Sequence, residues 1–89
     1  MTESQTIPVF NCVVNVAPPD ADGTVVATVA NLSGFVGRGK SEREALAQVV
    51  PQFKALVAQV LSWGQNIPWT EPPTPPAPGE VQRLIAVHL

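Results

Sequence analysis

The chain has 89 residues, of which 45% are hydrophobic and 13% are charged, and its formal net charge at pH 7 is −2. A chain of this length forms one domain and buries only about 60% of the surface that its unfolded state exposes. Because the composition is apolar for so small a domain, we expect a partner, which can be a second copy of the chain, to cover part of the surface. The five Lys and Arg residues are scattered, which argues against autonomous binding of nucleic acid.

The cysteine content and the apolar segments indicate where in the cell the protein is expected to act. A single cysteine excludes an intramolecular disulfide, and there is no Cys and His cluster to predict a metal site. Residues 1–6 contain no basic region followed by an apolar run, and no apolar stretch approaches the roughly 20 residues that a membrane span needs. We expect a cytoplasmic protein that does not enter a membrane, with a flexible N-terminus at residues 1–6.

Three strands are predicted in the first half of the chain. In segment 9–16 every second residue, from residue 10 to residue 16, is apolar, which would place these side chains on one face of a strand. The Pro-, Asp- and Gly-rich segment 18–23 predicts a reversal, and the β-branched segment 24–30 predicts a second, antiparallel strand. After a turn at residues 31–34, the glycine-interrupted segment 35–39 predicts a short edge strand. Together these strands form an antiparallel meander.

A long amphipathic helix follows the third strand. The side chain of Ser41 can accept the backbone N–H of Glu44, and Glu44 can reach back to the backbone N–H of Ser41, as in a capping box. Apolar residues then recur at steps of three and four through residue 61, so one face of the helix can cover the sheet. Gly64 is placed to adopt the left-handed conformation past the helix end, and Pro68 closes the segment.

The last part of the chain predicts a connector and a fourth strand. Segment 69–79 contains five of the ten prolines and predicts a stiff, extended connector. Alternation over residues 81–89 predicts a strand. The expected fold is α+β with the element order β-β-β-α-β, the sheet order 3-2-1-4, and the fourth strand parallel to the first. The connector is also long enough for the fourth strand to pair with a neighbouring chain, and the sequence leaves that exchange open.

Three short motifs follow one another in a specific order along the chain. Residues 32–34 read Leu-Ser-Gly, residues 39–45 read Gly-Lys-Ser-Glu-Arg-Glu-Ala, and residues 64–68 read Gly-Gln-Asn-Ile-Pro ahead of the proline-rich segment and the last strand. In this order the motifs resemble those of the HicB-like antitoxin family. The chain departs from the family at Asn31, where an Asp after a Pro is usual, and at Lys40, where an acidic residue is usual.

The resemblance implies a single domain over residues 1–89 with a degenerate ribonuclease-H-like core and no working catalytic centre. In many members this core binds and blocks a small, messenger-RNA-cleaving HicA-type toxin. Members that also repress transcription carry a second, DNA-binding domain, for which this chain has no room, so we expect no autonomous DNA binding. We expect a non-enzymatic antitoxin or orphan relative that forms a homo-oligomer, needs no cofactor, and occludes a small basic ribonuclease. The alternative is a stand-alone oligomeric structural or ligand-binding module without a toxin partner.

Four residues are candidates for partner contacts. Phe35 and Val36 lie on the predicted edge strand, and Trp63 and Trp69 bracket the helix exit. Tryptophan often supplies the buried centre of an interface, but these two can equally seal the end of the core. Structural roles in turns and helix ends are predicted for Gly34, Gly39, Ser41, Glu44, Gly64 and Pro68.

No catalytic residue is predicted. Turn chemistry explains Asp20 and Asp22, and helix capping explains Glu44, better than a shared Mg²⁺ site does. No Ser, Cys or Asp lies at a spacing from His88 that would indicate a catalytic pair, so we expect the His88 side chain to face solvent or to be hydrogen-bonded. Cys12 lies on the apolar side of the first strand, where a small core residue is expected.

Overall fold

The computed structural model describes residues 9–32 and 34–89, so the predicted flexible segment 1–6 and Ser33 in the second turn lie outside the described residues. The elements are β1 (Val9–Val16), β2 (Val25–Val29), β3 (Val36–Gly39), α1 (Glu42–Ser62) and β4 (Val81–His88). The α+β class and the element order agree with the prediction. Within the described ranges, no helix combines the length and the apolar character that crossing a membrane requires.

The four strands form one sheet in the order β3-β2-β1-β4, and every neighbouring pair is antiparallel. The predicted strand order is confirmed, but the predicted parallel direction of the fourth strand is wrong. Val81, at the start of β4, lies opposite Val16 at the end of β1, and His88 lies opposite Val9. In this structure β4 therefore pairs with β1 of its own chain along the whole length of both strands.

The path of the connector explains the reversed direction. After α1, Trp69 packs against Phe10 near the start of β1, and a strand beginning there would run parallel to β1. Instead the backbone N–H of Thr74 donates to the carbonyl of Ala30, and Gly79 lies beside Pro18, past the far end of β1. The proline-rich connector thus runs the length of the sheet before β4 begins, so β4 has to return in the opposite direction.

The core lies between α1 and one face of the sheet. Phe53 of α1 is fully buried at its centre, among buried side chains from β1, β2 and the helix. Helix and sheet lie in close contact at Gly37 and Gly39, where an added Cβ would collide with the carbonyl of Ala45 and with Glu44. These glycines allow β3 to lie directly beneath the helix. The apolar stripe predicted along the helix therefore covers the sheet as expected.

Both helix ends follow the predicted capping residues, with one difference. The Ser41 hydroxyl accepts the backbone N–H of Glu44 at 3.2 Å, as predicted. The Glu44 carboxylate, however, accepts the N–H of Lys40 at 3.0 Å and not that of Ser41, since Lys40 lies past the last residue pair of β3 and its N–H has no strand partner.

The C-terminal end of α1 confirms the expected role of Gly64. Gly64 has φ +71° and lies in the left-handed region. The N–H of Gln65 donates to the carbonyl of Val60, and the N–H of Gly64 donates to that of Leu61, which is the hydrogen-bond pattern of a Schellman motif. Gly34 also has a left-handed φ, +104°, in the turn before β3. A side chain at either position would strain the backbone.

Candidate functional site

The predicted contact residues on β3 differ in exposure. Phe35 is half-buried and packs against the core, whereas Val36 is 39% exposed on the face of the sheet away from the helix. The outer backbone edge of β3 is capped by α1: the N–H of Arg38 donates to Gln48 Oε1 at 2.9 Å, and Gln52 Nε2 donates to the carbonyl of Val36 at 3.5 Å. A partner approaching β3 therefore meets the Val36 side chain and an occupied backbone edge.

The two tryptophans take different positions. Trp63 caps the C-terminal end of α1 and is 59% exposed. Trp69 is half-buried and lies between two phenylalanines, with its ring centroid 6.1 Å from Phe10 and 5.9 Å from Phe53. The helix exit thus presents one exposed tryptophan, while the second packs onto the core.

Asn31 has a role that the sequence analysis missed. Its Oδ1 accepts the backbone N–H of Val13 at 3.1 Å, its Nδ2 donates to the carbonyl of Asn11 at 2.7 Å, and its own carbonyl accepts the N–H of Thr70 at 2.9 Å. Asn31 therefore joins β1 to the connector. The signal in the sequence is a polar residue directly after an apolar strand, a position that predicts a turn but not these bonds to β1.

A cavity of about 220 Å³ lies beside Asn31. Each end of the Asn31 amide already makes one hydrogen bond to β1, so only one donor and one acceptor position of this amide remain for another group. The cavity is also smaller than the roughly 300–1,000 Å³ typical of small-molecule sites. It is lined by Asn11, Asn31, Trp69, Thr70, Glu71 and Pro73. This cavity by itself gives little support to the alternative of a ligand-binding module, whereas a second cavity, of about 320 Å³ beside Pro18 and Lys40, lies at the lower end of that range.

A second polar group holds the connector against the face of the sheet away from the helix. Asn15 is buried, and its Nδ2 donates to the carbonyl of Thr74 at 2.9 Å. Gln82 lies opposite Asn15 on β4 and donates to Asn15 Oδ1 at 3.1 Å. These contacts fix the connector across β1 and β4 and account for the buried polar side chain, because a buried amide is costly unless it is paired.

The carboxylates are engaged in local structure. Asp20 Oδ1 accepts the backbone N–H groups of Thr24 at 2.9 Å and of Asp22 at 2.8 Å, and these bonds, helped by the charge of Lys40, lower the pKa of the Asp20 carboxyl. Across the residues that the structure describes, no three His, Cys, Asp or Glu side chains converge on a possible metal position. Asp20 thus acts in the turn, as its sequence context predicts.

The remaining reactive side chains, those of Cys12 and His88, differ in burial. Cys12 is fully buried in the core, and burial raises the pKa of its thiol to about 11, so the thiol stays protonated at neutral pH. His88 is exposed near the end of β4 and lies opposite Val9. A buried protonated thiol is a poor nucleophile, so Cys12 acts as the core residue that its position predicts.

β4 carries exposed apolar side chains that the sequence analysis did not select. Leu84 is 66% exposed, and Val81 is also exposed. Both belong to an edge strand in which Arg83 is the only residue with a formal charge at pH 7. The signal in the sequence was that Leu84 and Ala86 make the second side of this strand apolar as well.

Comparison of the chain with protein-family models, with curated proteins and with solved structures gives no match.

Proposed function

We propose that this chain is a non-enzymatic, HicB-like antitoxin, or an orphan relative of one, that acts in the cytoplasm by covering a small basic ribonuclease of the HicA type. The proposal is supported by the resemblance of the turn, capping and linker motifs and by one structural observation. Apolar side chains are exposed at Val36 and Trp63, whereas Asp20, Glu44 and Cys12 serve the turn, the helix cap and the core. This division of roles favours binding over catalysis.

The mechanism that we propose is steric. Val36, with Phe35 behind it, and Trp63 would pack against the toxin surface that engages RNA, and the net charge of −2 suits a basic partner. Because Gln48 and Gln52 occupy the backbone edge of β3, recognition would occur through side chains rather than through an added β-strand.

The first experiment is co-expression of the chain with the reading frame encoded next to it. The antitoxin proposal expects a small basic protein to co-purify at fixed stoichiometry and to arrest growth when it is expressed alone. If no such protein binds and the neighbouring product is harmless, the antitoxin proposal fails and the alternative of a stand-alone structural module is favoured.

Once a complex with the toxin has been purified, single substitutions in this chain identify the residues that contact the toxin. Val36→Asp and Trp63→Ala should each weaken the complex by about tenfold or more, because each removes an exposed apolar contact. The matched control is Val9→Asp, which changes an apolar residue of comparable exposure at the start of β1. Full binding by both test variants would show that the toxin binds elsewhere on the chain.

A further inference from the structure

The two edges of the sheet are protected to different degrees. β3 is short and contains Gly37 and Gly39, and two of its outward backbone groups, the N–H of Arg38 and the carbonyl of Val36, are bonded to Gln48 and Gln52. β4 has eight residues, no proline and no glycine. Among residues 9–32 and 34–89, no side chain is hydrogen-bonded to the backbone of β4. Natural edge strands are normally blunted by shortness, proline, charge or a cover, and β3 has these features to a far greater degree than β4.

The hydrogen-bonding pattern identifies which backbone groups of β4 face outward. The carbonyl of Val13 accepts the N–H of Ala30, so odd-numbered residues of β1 direct their backbone groups toward β2, and even-numbered residues direct theirs toward β4. Even-numbered residues of β1 lie opposite odd-numbered residues of β4, as Cys12 lies opposite Ile85. The outer edge therefore presents the N–H and C=O groups of Gln82, Leu84, Ala86 and His88.

We propose that β4 pairs with β4 of a second copy of this chain, antiparallel and across a two-fold axis at Ile85. In that register Leu84 pairs with Ala86 of the second copy, and Gln82 pairs with His88. All four residues with outward backbone groups are then matched with one another, which satisfies the antiparallel hydrogen-bonding pattern. This register overlaps residues 82–88 of the two strands, and among the antiparallel alignments with a two-fold axis it matches the largest number of outward backbone groups.

The side chains suit this register on both faces. On the face away from the helix, the largely exposed Leu84 packs beside Ala86 of the second copy. On the helix face, the two Ile85 side chains meet at the axis. Arg83 lies opposite Val87 of the second copy, and its guanidinium is already paired with Glu42 of its own chain at 3.0 Å. The two Arg83 residues are about 14 Å apart, which is more than the Debye length at physiological ionic strength, so their repulsion is screened.

The product is a continuous eight-stranded sheet with both α1 helices on the same face, and each copy ends in a capped β3 edge. A further strand at β3 would have to displace Gln48 and Gln52 from the edge, so we expect the assembly to stop at two copies. This inference needs only a second copy of the chain and does not rest on the proposed function, since it is tested on the purified protein without any partner.

The test is amide hydrogen exchange by NMR together with the mass in solution, measured on the full chain. We expect twice the monomer mass at micromolar concentration. We also expect slow exchange at Gln82, Leu84, Ala86 and His88 that becomes faster on dilution, since these amides are bonded only across the interface. A monomer, or a dimer in which these four amides exchange freely, would overturn the proposal.

A variant pair at one position adds a second test. Ala86→Pro removes an outward N–H and places a ring at the interface, while the bonds between β4 and β1 remain, because an edge strand tolerates proline whose missing N–H faces solvent. Ala86→Ser keeps the N–H and is the matched control. We expect Ala86→Pro to be a folded monomer and Ala86→Ser to be a dimer. A folded, dimeric Ala86→Pro variant would contradict the proposed register, and if that variant does not fold, exchange on the unmodified chain decides.

Discussion

The side-chain amide of Asn31 lies against the backbone of Asn11 and donates to its carbonyl at 2.7 Å. The same amide accepts the N–H of Val13, so it occupies the place of a neighbouring strand beside the first half of β1, where β2 has already ended. Because the carbonyl of Asn31 also accepts the N–H of Thr70, this residue is one of the points at which the sheet is joined to the connector.

Replacement of Asn31 tests this role. Asn31→Ala should lower the free energy of unfolding by about 1 to 3 kcal/mol, since the buried N–H of Val13 is left without a partner. Urea denaturation followed by circular dichroism measures the change. The matched control is Asn66→Ala, at an exposed position after the helix, which should change stability by less than about 0.5 kcal/mol. Equal effects of the two variants would contradict the role given to Asn31.

The cap at Ser41 gives a prediction about the start of α1. Ser41→Ala should lower the free energy of unfolding by roughly 1 kcal/mol, because the N–H of Glu44 loses its acceptor. Ser41→Asp keeps an acceptor at the same position and should retain most of the stability. An unchanged denaturation midpoint for Ser41→Ala would show that the hydroxyl does not stabilise the helix.

Elements with local signals could be predicted from the sequence, and the direction of β4 could not. Alternation in β1, the Ser41 cap and the Gly64 terminus are determined by residues a few positions apart, and the structure confirms them. The direction of β4 depends on contacts of the connector with the end of β2, such as that of Thr74 with Ala30, which are remote in sequence. The abundance of proline predicted the reach of the connector but not its route.

In the candidate site too, features set by neighbouring residues could be predicted and features set by remote contacts could not. The sequence identified Val36 on an edge strand and left open whether Trp63 is exposed, and it missed Gln48 and Gln52, whose amides bond to that edge. Glutamines four residues apart on a helix are ordinary surface residues unless the position of the facing strand is known. The open edge of β4 was missed for the same reason, since the sequence does not reveal which backbone groups of a strand lack partners.

Replacing Trp69 and replacing Trp63 should have clearly different effects on the free energy of unfolding. Trp69→Ala removes a ring packed between Phe10 and Phe53 and should cost about 3 kcal/mol. Trp63→Ala changes an exposed side chain and should cost less than about 0.5 kcal/mol. Urea denaturation by far-ultraviolet circular dichroism measures both without relying on tryptophan fluorescence. A large loss at Trp63 would mean that this ring is covered in solution.

The glutamine caps predict a change in the behaviour of the β3 edge. Replacing both Gln48 and Gln52 with alanine should accelerate amide exchange at Arg38 and cost about 1 kcal/mol, because the outward N–H loses its acceptor. The matched control is Gln59→Ala, on an exposed part of the same helix. The doubly substituted chain should also form species larger than those of the unmodified protein, through pairing at the opened edge. Unchanged exchange at Arg38 would contradict the capping role.

The buried thiol of Cys12 makes stability depend on pH in alkaline solution. Burial raises the thiol pKa from 9.0 to about 11, so the unfolded chain loses this proton at a lower pH than the folded chain does. The free energy of unfolding should therefore be unaffected by the thiol below pH 9.0 and should fall as the pH rises toward 11, by about 2 to 3 kcal/mol in total. Urea denaturation of the unmodified chain and of Cys12→Ala across this range isolates the effect, since the lysines titrate in both. The stability difference between the two proteins should shrink as the pH rises, and parallel curves would show that the thiol titrates normally in the folded state.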